Sequence, residues 1–86
     1  MSKAIISGLT PRTVGEIRYA VWVLGLGAVL TGRMFGVSHT HVGRVCKADS
    51  PIFPEQGPIE FDPLSDPRFS PDLIEEIARH LSRRRK

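Results

Sequence analysis

The sequence predicts an all-α chain: a trihelical core, a Pro-rich extended strap and a C-terminal amphipathic helix. Three observations lead there. Apolar residues recur at three- and four-residue spacing in two stretches, Val14 to Leu24 and Leu73 to Leu81. Helix-start signals stand at Thr10-Pro11, Ser38 and Ser70-Pro71-Asp72. Six of the seven prolines fall between residues 50 and 71, where they exclude regular helix. A length of 86 residues allows one small domain, with little surface to spare for a deep cleft.

Residues 1–9 read as an N-terminal arm and residues 10–49 as the trihelical domain. Thr10 can cap a helix that has Pro11 at its first position, and Thr13 with Glu16 offers a competing capping box. Val14, Ile17, Val21 and Leu24 form one apolar face; Tyr19, Trp22, Val23 and Leu26 form a second. A lone surface helix shows only one such face, so the rest of the chain or a partner must wrap this one. Gly25 and Gly27 end or loosen it. A second helix is predicted over Ala28–Phe35 and a third over Thr40–Lys47, stopped by Asp49-Ser50-Pro51.

Residues 50–70 form the acidic, proline-rich strap. Ile52, Phe53, Ile59, Phe61, Leu64 and Phe69 are spread along it, which favours chain laid on a hydrophobic surface over a disordered linker. Residues 71–86 form the last helix, with Leu73, Ile74, Ile77, Ala78 and Leu81 on its apolar face. Its acids come early and its bases late, as the helix dipole prefers.

The net charge of +3 divides unevenly: +5 over residues 1–47, −4 over 48–69 and +2 over 70–86. A basic first half suits a polyanion better than the average suggests. The longest apolar run, Tyr19 to Leu30, falls short of the roughly 20 residues a spanning helix needs. No signal-peptide pattern accompanies it. The expectation is a cytoplasmic protein with no membrane partner and one reduced thiol, Cys46.

Ala28 to Lys47 resembles the helix-turn-helix DNA-binding motif of trihelical resolvase- and invertase-type or homeodomain-like domains and small phage regulators. The residues that carry the resemblance are Gly32, Phe35-Gly36-Val37-Ser38, Val42 and Val45. Gly32 lets two helices cross closely, Gly36 takes the left-handed turn conformation, Val37 plugs the corner and Ser38 caps the next helix. Val42 and Val45 anchor that helix. Leu9-Thr10-Pro11 and Val14 with Ile17 resemble the family's first helix, so the likeness covers residues 9–47. Thr31 departs from the pattern, standing where the family has a large aliphatic residue, and Gly43 lies inside the third helix.

The resemblance implies that the third helix enters the major groove of double-stranded DNA, and with it a nucleoid association in a bacterial or phage-infected cell. His39, Thr40, Gly43 and Arg44 are then the base-contacting candidates, Arg44 foremost because a guanidinium pairs bidentately with guanine. Ser38, His41, Lys47, Arg33 and Arg12 are candidates for the DNA backbone. Lys3 in the arm and the terminal Arg83-Arg84-Arg85-Lys86 are further phosphate candidates. One trihelical module buries little surface on DNA, which points to a homodimer on paired half-sites. Trp22, Phe53, Phe61, Leu73, Ile74, Ile77 and Leu81 are the candidate dimer or partner contacts, although the strap and last helix can instead fold back on their own domain.

Other constellations are weaker. His39 and His41 point about 200° apart on a helix and do not easily share a metal ion. Cys46 has no oriented partner for nucleophilic catalysis. The glycine-rich Gly25–Gly32 stretch lacks the lysine of a phosphate loop. No enzyme, cofactor or metal is expected. The leading reading is a sequence-specific regulator of a phage or mobile element, such as a transcriptional repressor. The alternatives are a protein-binding adaptor or inhibitor that uses the acidic strap and last helix, and a DNA-architecture or recombination-directionality factor.

Overall fold

A computed structural model describes residues 9–85, and the side chains of residues 9–83. Helix α1 spans Pro11–Arg18 and continues as a π-helical segment, Tyr19–Val23. Helix α2 spans Ala28–Phe35, α3 spans His39–Val45 and α4 spans Pro71–Arg85. Residues 46–70 contain neither helix nor strand. The arm, with Lys3, lies outside the described residues up to Gly8, as do Lys86 and the side chains of Arg84 and Arg85.

Of the two competing starts for α1, the chain uses Thr10-Pro11. The Thr10 hydroxyl accepts from the Thr13 N–H at 3.1 Å. Glu16 serves a different purpose: it is buried, and its carboxylate meets Arg68 at 2.9 Å and Arg12 at 3.5 Å. The helix then widens. Leu24 N–H donates to the Tyr19 carbonyl and Leu26 N–H to the Ala20 carbonyl, both at 3.0 Å. A π turn shifts the helical phase, so the second apolar stripe is split. Leu26 is buried, whereas Trp22 and Val23 are about half exposed. Gly25 and Gly27, both at positive φ, turn the chain into α2.

Two clusters form the core. Val14, Ile17, Val42 and Val45 join α1 to α3. Ala20, Leu26, Leu30, Met34, Phe69 and Ile77 join the π segment and α2 to the end of the strap and to α4. Phe35 packs against both. The last helix therefore folds back on its own domain. Ile77 is fully buried there, and Phe61, Leu73, Ile74 and Leu81 pack beside it. These five candidate partner contacts are engaged within the chain, because the strap is long enough to return α4 to the uncovered side of α2. Ser70 starts α4, its hydroxyl accepting from Leu73 N–H at 3.3 Å.

The strap lies on a hydrophobic surface. Ile59 N–H donates to the Gly15 carbonyl at 2.9 Å. A Cβ on Gly15 would sit 2.5 Å from Ile59 Cγ1, so a glycine is what lets the strap touch α1. Further along, Phe61 and Phe69 join Tyr19 and Phe35 in an aromatic cluster with centroids 5.7–6.4 Å apart. Arg68 covers it, 5.7 Å from the Phe35 ring, 5.9 Å from Phe61 and 5.3 Å from Phe69. Its guanidinium also pairs with Asp66 at 2.6 Å.

Thr31 is fully buried, and its hydroxyl has no hydrogen-bond partner among the described residues. Replacing a buried, unpaired hydroxyl by a methyl removes a desolvation cost. Thr31→Val is expected to stabilise the fold by about 1–2 kcal/mol in chemical denaturation. Asp66 sets an acid limit. Hydrogen bonding from the Arg68 side chain, reinforced by its charge, holds the Asp66 carboxyl below its ordinary value of 3.8. The folded state thus binds this proton less readily than the unfolded chain. The contribution is complete above pH 3.8 and is lost as pH falls through the lower, folded value. Denaturation of wild type and Asp66→Asn should show a stability gap at neutral pH that closes below about pH 4.

Candidate nucleic-acid interface

The turn between α2 and α3 is built from three small residues. Gly32 has no side chain because none fits: a Cβ there would lie 2.5 Å from the Val37 carbonyl oxygen and 3.4 Å from the His39 nitrogen. Gly36 adopts φ +72°, a left-handed conformation that costs other residues energy. Its N–H and that of Val37 both donate to the Gly32 carbonyl, closing the end of α2. Ser38 is extended, and its hydroxyl accepts from the His41 N–H at 3.1 Å. This cap starts α3 at His39, one residue before the expected Thr40.

Val42 and Val45 are fully buried against Val14 and Ile17. They turn the opposite side of α3 outward. Ser38, His39, Thr40, Gly43, Arg44 and Lys47 are exposed. His41 differs from the rest: it is half-buried, and its Nε2 is shielded without a hydrogen-bond partner. Position 41 lies one helical turn before the buried Val45, at the edge of the anchored side of α3.

The expected cations fall into two groups. Arg33 is paired with Glu76 of α4 at 2.7 Å, and Arg12 reaches Glu16 at 3.5 Å. Among the described residues, Arg44 and Lys47 have no carboxylate partner. Among the described residues of the first half, the exposed cations without a carboxylate are on and just after α3.

Helix α3 ends at Val45, two residues before the expected Lys47, because two side chains of the first helix take its terminal carbonyls. Arg18 Nε donates to the Val45 carbonyl at 3.0 Å, and Trp22 Nε1 donates to the Cys46 carbonyl at 3.1 Å. Arg18 is 2% exposed and goes on to bind the strap. One terminal nitrogen donates to the carbonyls of Phe53 and Gln56 at 2.8 and 2.6 Å, and the other to Ile52 at 2.6 Å. Sequence reasoning gave no role to Arg18 or Arg68, and it offered Glu16 as a capping-box residue where the structure makes it a buried ion-pair partner. The available signal for Arg18 was a charge four residues after Val14 and four before Trp22, on a helix with two apolar faces.

Cys46 is half-buried, and burial pushes its thiol up to about 11 against the opposing pull of the Arg18 charge. It is a protonated packing residue at neutral pH. Among the described residues, no three His, Cys, Asp or Glu side chains converge as a metal site. A pocket of about 370 Å³ lies between Pro11 and residues Phe53, Pro54, Glu55 and Gln56, and none of the α3 side chains lines it. No helix of the described residues is long and apolar enough to cross a membrane. No family model, curated protein or solved structure matches the chain.

A Cβ on Gly43 would meet nothing within 4 Å. The fold has no use for a glycine there, and glycine costs a helix interior about 1 kcal/mol relative to alanine. Gly43→Ala is expected to raise the thermal midpoint, with a gain of about 0.5–1 kcal/mol.

Proposed function

We propose that the protein binds double-stranded DNA sequence-specifically, inserting α3 into the major groove as a small transcriptional regulator of a phage or mobile element. The observation that carries this reading is the outer face of α3. It presents His39, Thr40, Gly43 and Arg44, with Lys47 just beyond, and neither cation is paired with a carboxylate among the described residues. The turn geometry at Gly32, Gly36 and Ser38 supports the helix-turn-helix resemblance. Arg44 is the guanine reader. Ser38 and Lys47 are phosphate contacts that add affinity without reading sequence. Arg33 spends one terminal nitrogen on Glu76, which offsets part of its attraction for a phosphate. His41 contributes less than its position suggested, since its ring is partly withdrawn. Of the candidate partner contacts, Phe53 keeps exposed aromatic surface for a second copy of the chain on paired half-sites, while the half-exposed Trp22 is tied by its indole N–H to the Cys46 carbonyl.

A protein-binding module is the second reading. Exposed Glu55, Glu60, Asp62 and Leu64 on the strap favour it.

Selection from a random duplex pool at two salt concentrations separates the two. Sequence-selective binding with a steep salt slope is the expected result. Arg44→Ala should cost about 1–3 kcal/mol and relax discrimination at one base pair. Lys47→Ala should weaken all duplexes alike and lower the salt slope by about one. Absence of duplex binding at low salt would overturn the proposal and leave the strap as the functional surface.

A further inference from the structure

We infer that Arg18 and Trp22 are positioning residues for sequence discrimination, holding the C-terminal end of α3 from behind so that Arg44 and Lys47 meet DNA at a set angle. The inference rests on the DNA-binding reading above.

Helix α3 is only seven residues long, so it has little rigidity of its own. Its start is secured by the Ser38 cap, and its middle by Val42 and Val45. Its end is secured by side chains from α1 and the π segment. Arg18 Nε holds the Val45 carbonyl, and the Trp22 indole N–H holds that of Cys46. The two holders brace each other, the guanidinium lying 5.8 Å from the indole ring centroid. Arg18 has no carboxylate partner among the described residues. Its buried charge is met by four backbone carbonyls. Three belong to a loop in which Phe53 takes φ +46°, a conformation non-glycine residues rarely adopt. The same guanidinium thus ties the end of α3 to the loop over 52–56. Arg44 and Lys47 flank the two carbonyls held in this way. A helix end free to shift would spread their side chains over several registers and lower discrimination more than affinity.

The test uses the full chain and two variants. Arg18→Lys keeps the charge but loses the fork. Trp22→Phe keeps the half-exposed ring and loses one hydrogen bond. Two quantities are read in the folded proteins: amide hydrogen exchange at Arg44–Cys46 against α2, and the affinity ratio for the selected duplex over random duplex. Exchange at Arg44–Cys46 should quicken, about threefold in Trp22→Phe and about tenfold or more in Arg18→Lys, with α2 unchanged. The affinity ratio should fall by similar factors, with random-duplex binding retained. Partial unfolding lowers both affinities together and leaves their ratio unmoved, so a falling ratio reports positioning. If Arg18→Lys does not fold, Trp22→Phe decides. Unchanged exchange, or quickened exchange with the wild-type ratio, overturns the inference while DNA binding stands. A wild-type chain that selects no duplex overturns both.

Discussion

A guanidinium buried among carbonyls organises this molecule. Arg18 emerges from the first helix into a space where none of the described residues offers a carboxylate, and the backbone supplies the compensation instead. A buried charge is tolerated only where its donors are satisfied. That demand draws in two elements distant in sequence: the end of α3, and the loop formed by residues 52–56. The C-terminal end of a helix carries partial negative charge, so a cation there is favourable as well as geometrically apt. One side chain thus ends one helix, shapes one loop and fixes where the strap begins.

The second half of the strap is held by a different cation using different chemistry. Arg68 lies over three aromatic rings and joins Glu16 of the first helix to Asp66 beside it. Glu16 is otherwise buried, and it has cations on both sides. Between the two arginines, Ile59 touches the helix backbone at Gly15. A segment rich in proline cannot hold itself by its own hydrogen bonds. It is held at three points, by Arg18, by Ile59 against Gly15 and by Arg68, and it returns α4 to the core through Phe69 and Ile77.

These internal uses of charge shape the outer surface. Arg12, Arg33 and Arg68 face carboxylates, and Arg18 is buried among carbonyls. Among the described residues of the first half, the exposed cations left without a carboxylate, Arg44 and Lys47, are on α3 and just past it. A modest overall charge therefore becomes locally uneven, and that unevenness, together with the geometry of the turn, is why we propose α3 as the DNA-facing side.

Local rules determined a good deal from sequence alone. The all-α class, the proline-rich interval, the caps at Ser38 and Ser70, and the left-handed Gly36 follow from interactions within a few residues, which left Thr10 and Thr13 both open as the first cap. So does the outward direction of His39, Thr40, Gly43 and Arg44, once Val42 and Val45 are taken as the anchoring side. The tertiary structure decided what depends on distant partners. Helix phase failed after Arg18 because a π turn breaks the 3.6-residue period, leaving Trp22 and Val23 half exposed. The early end of α3, the burial of Ile77 within its own chain and the withdrawal of His41 are likewise not local. Neither are the roles of Arg18, Glu16 and Arg68. A charged residue on a helix has the same local preference whether it ends in water or in the core, and only the elements brought against it settle which.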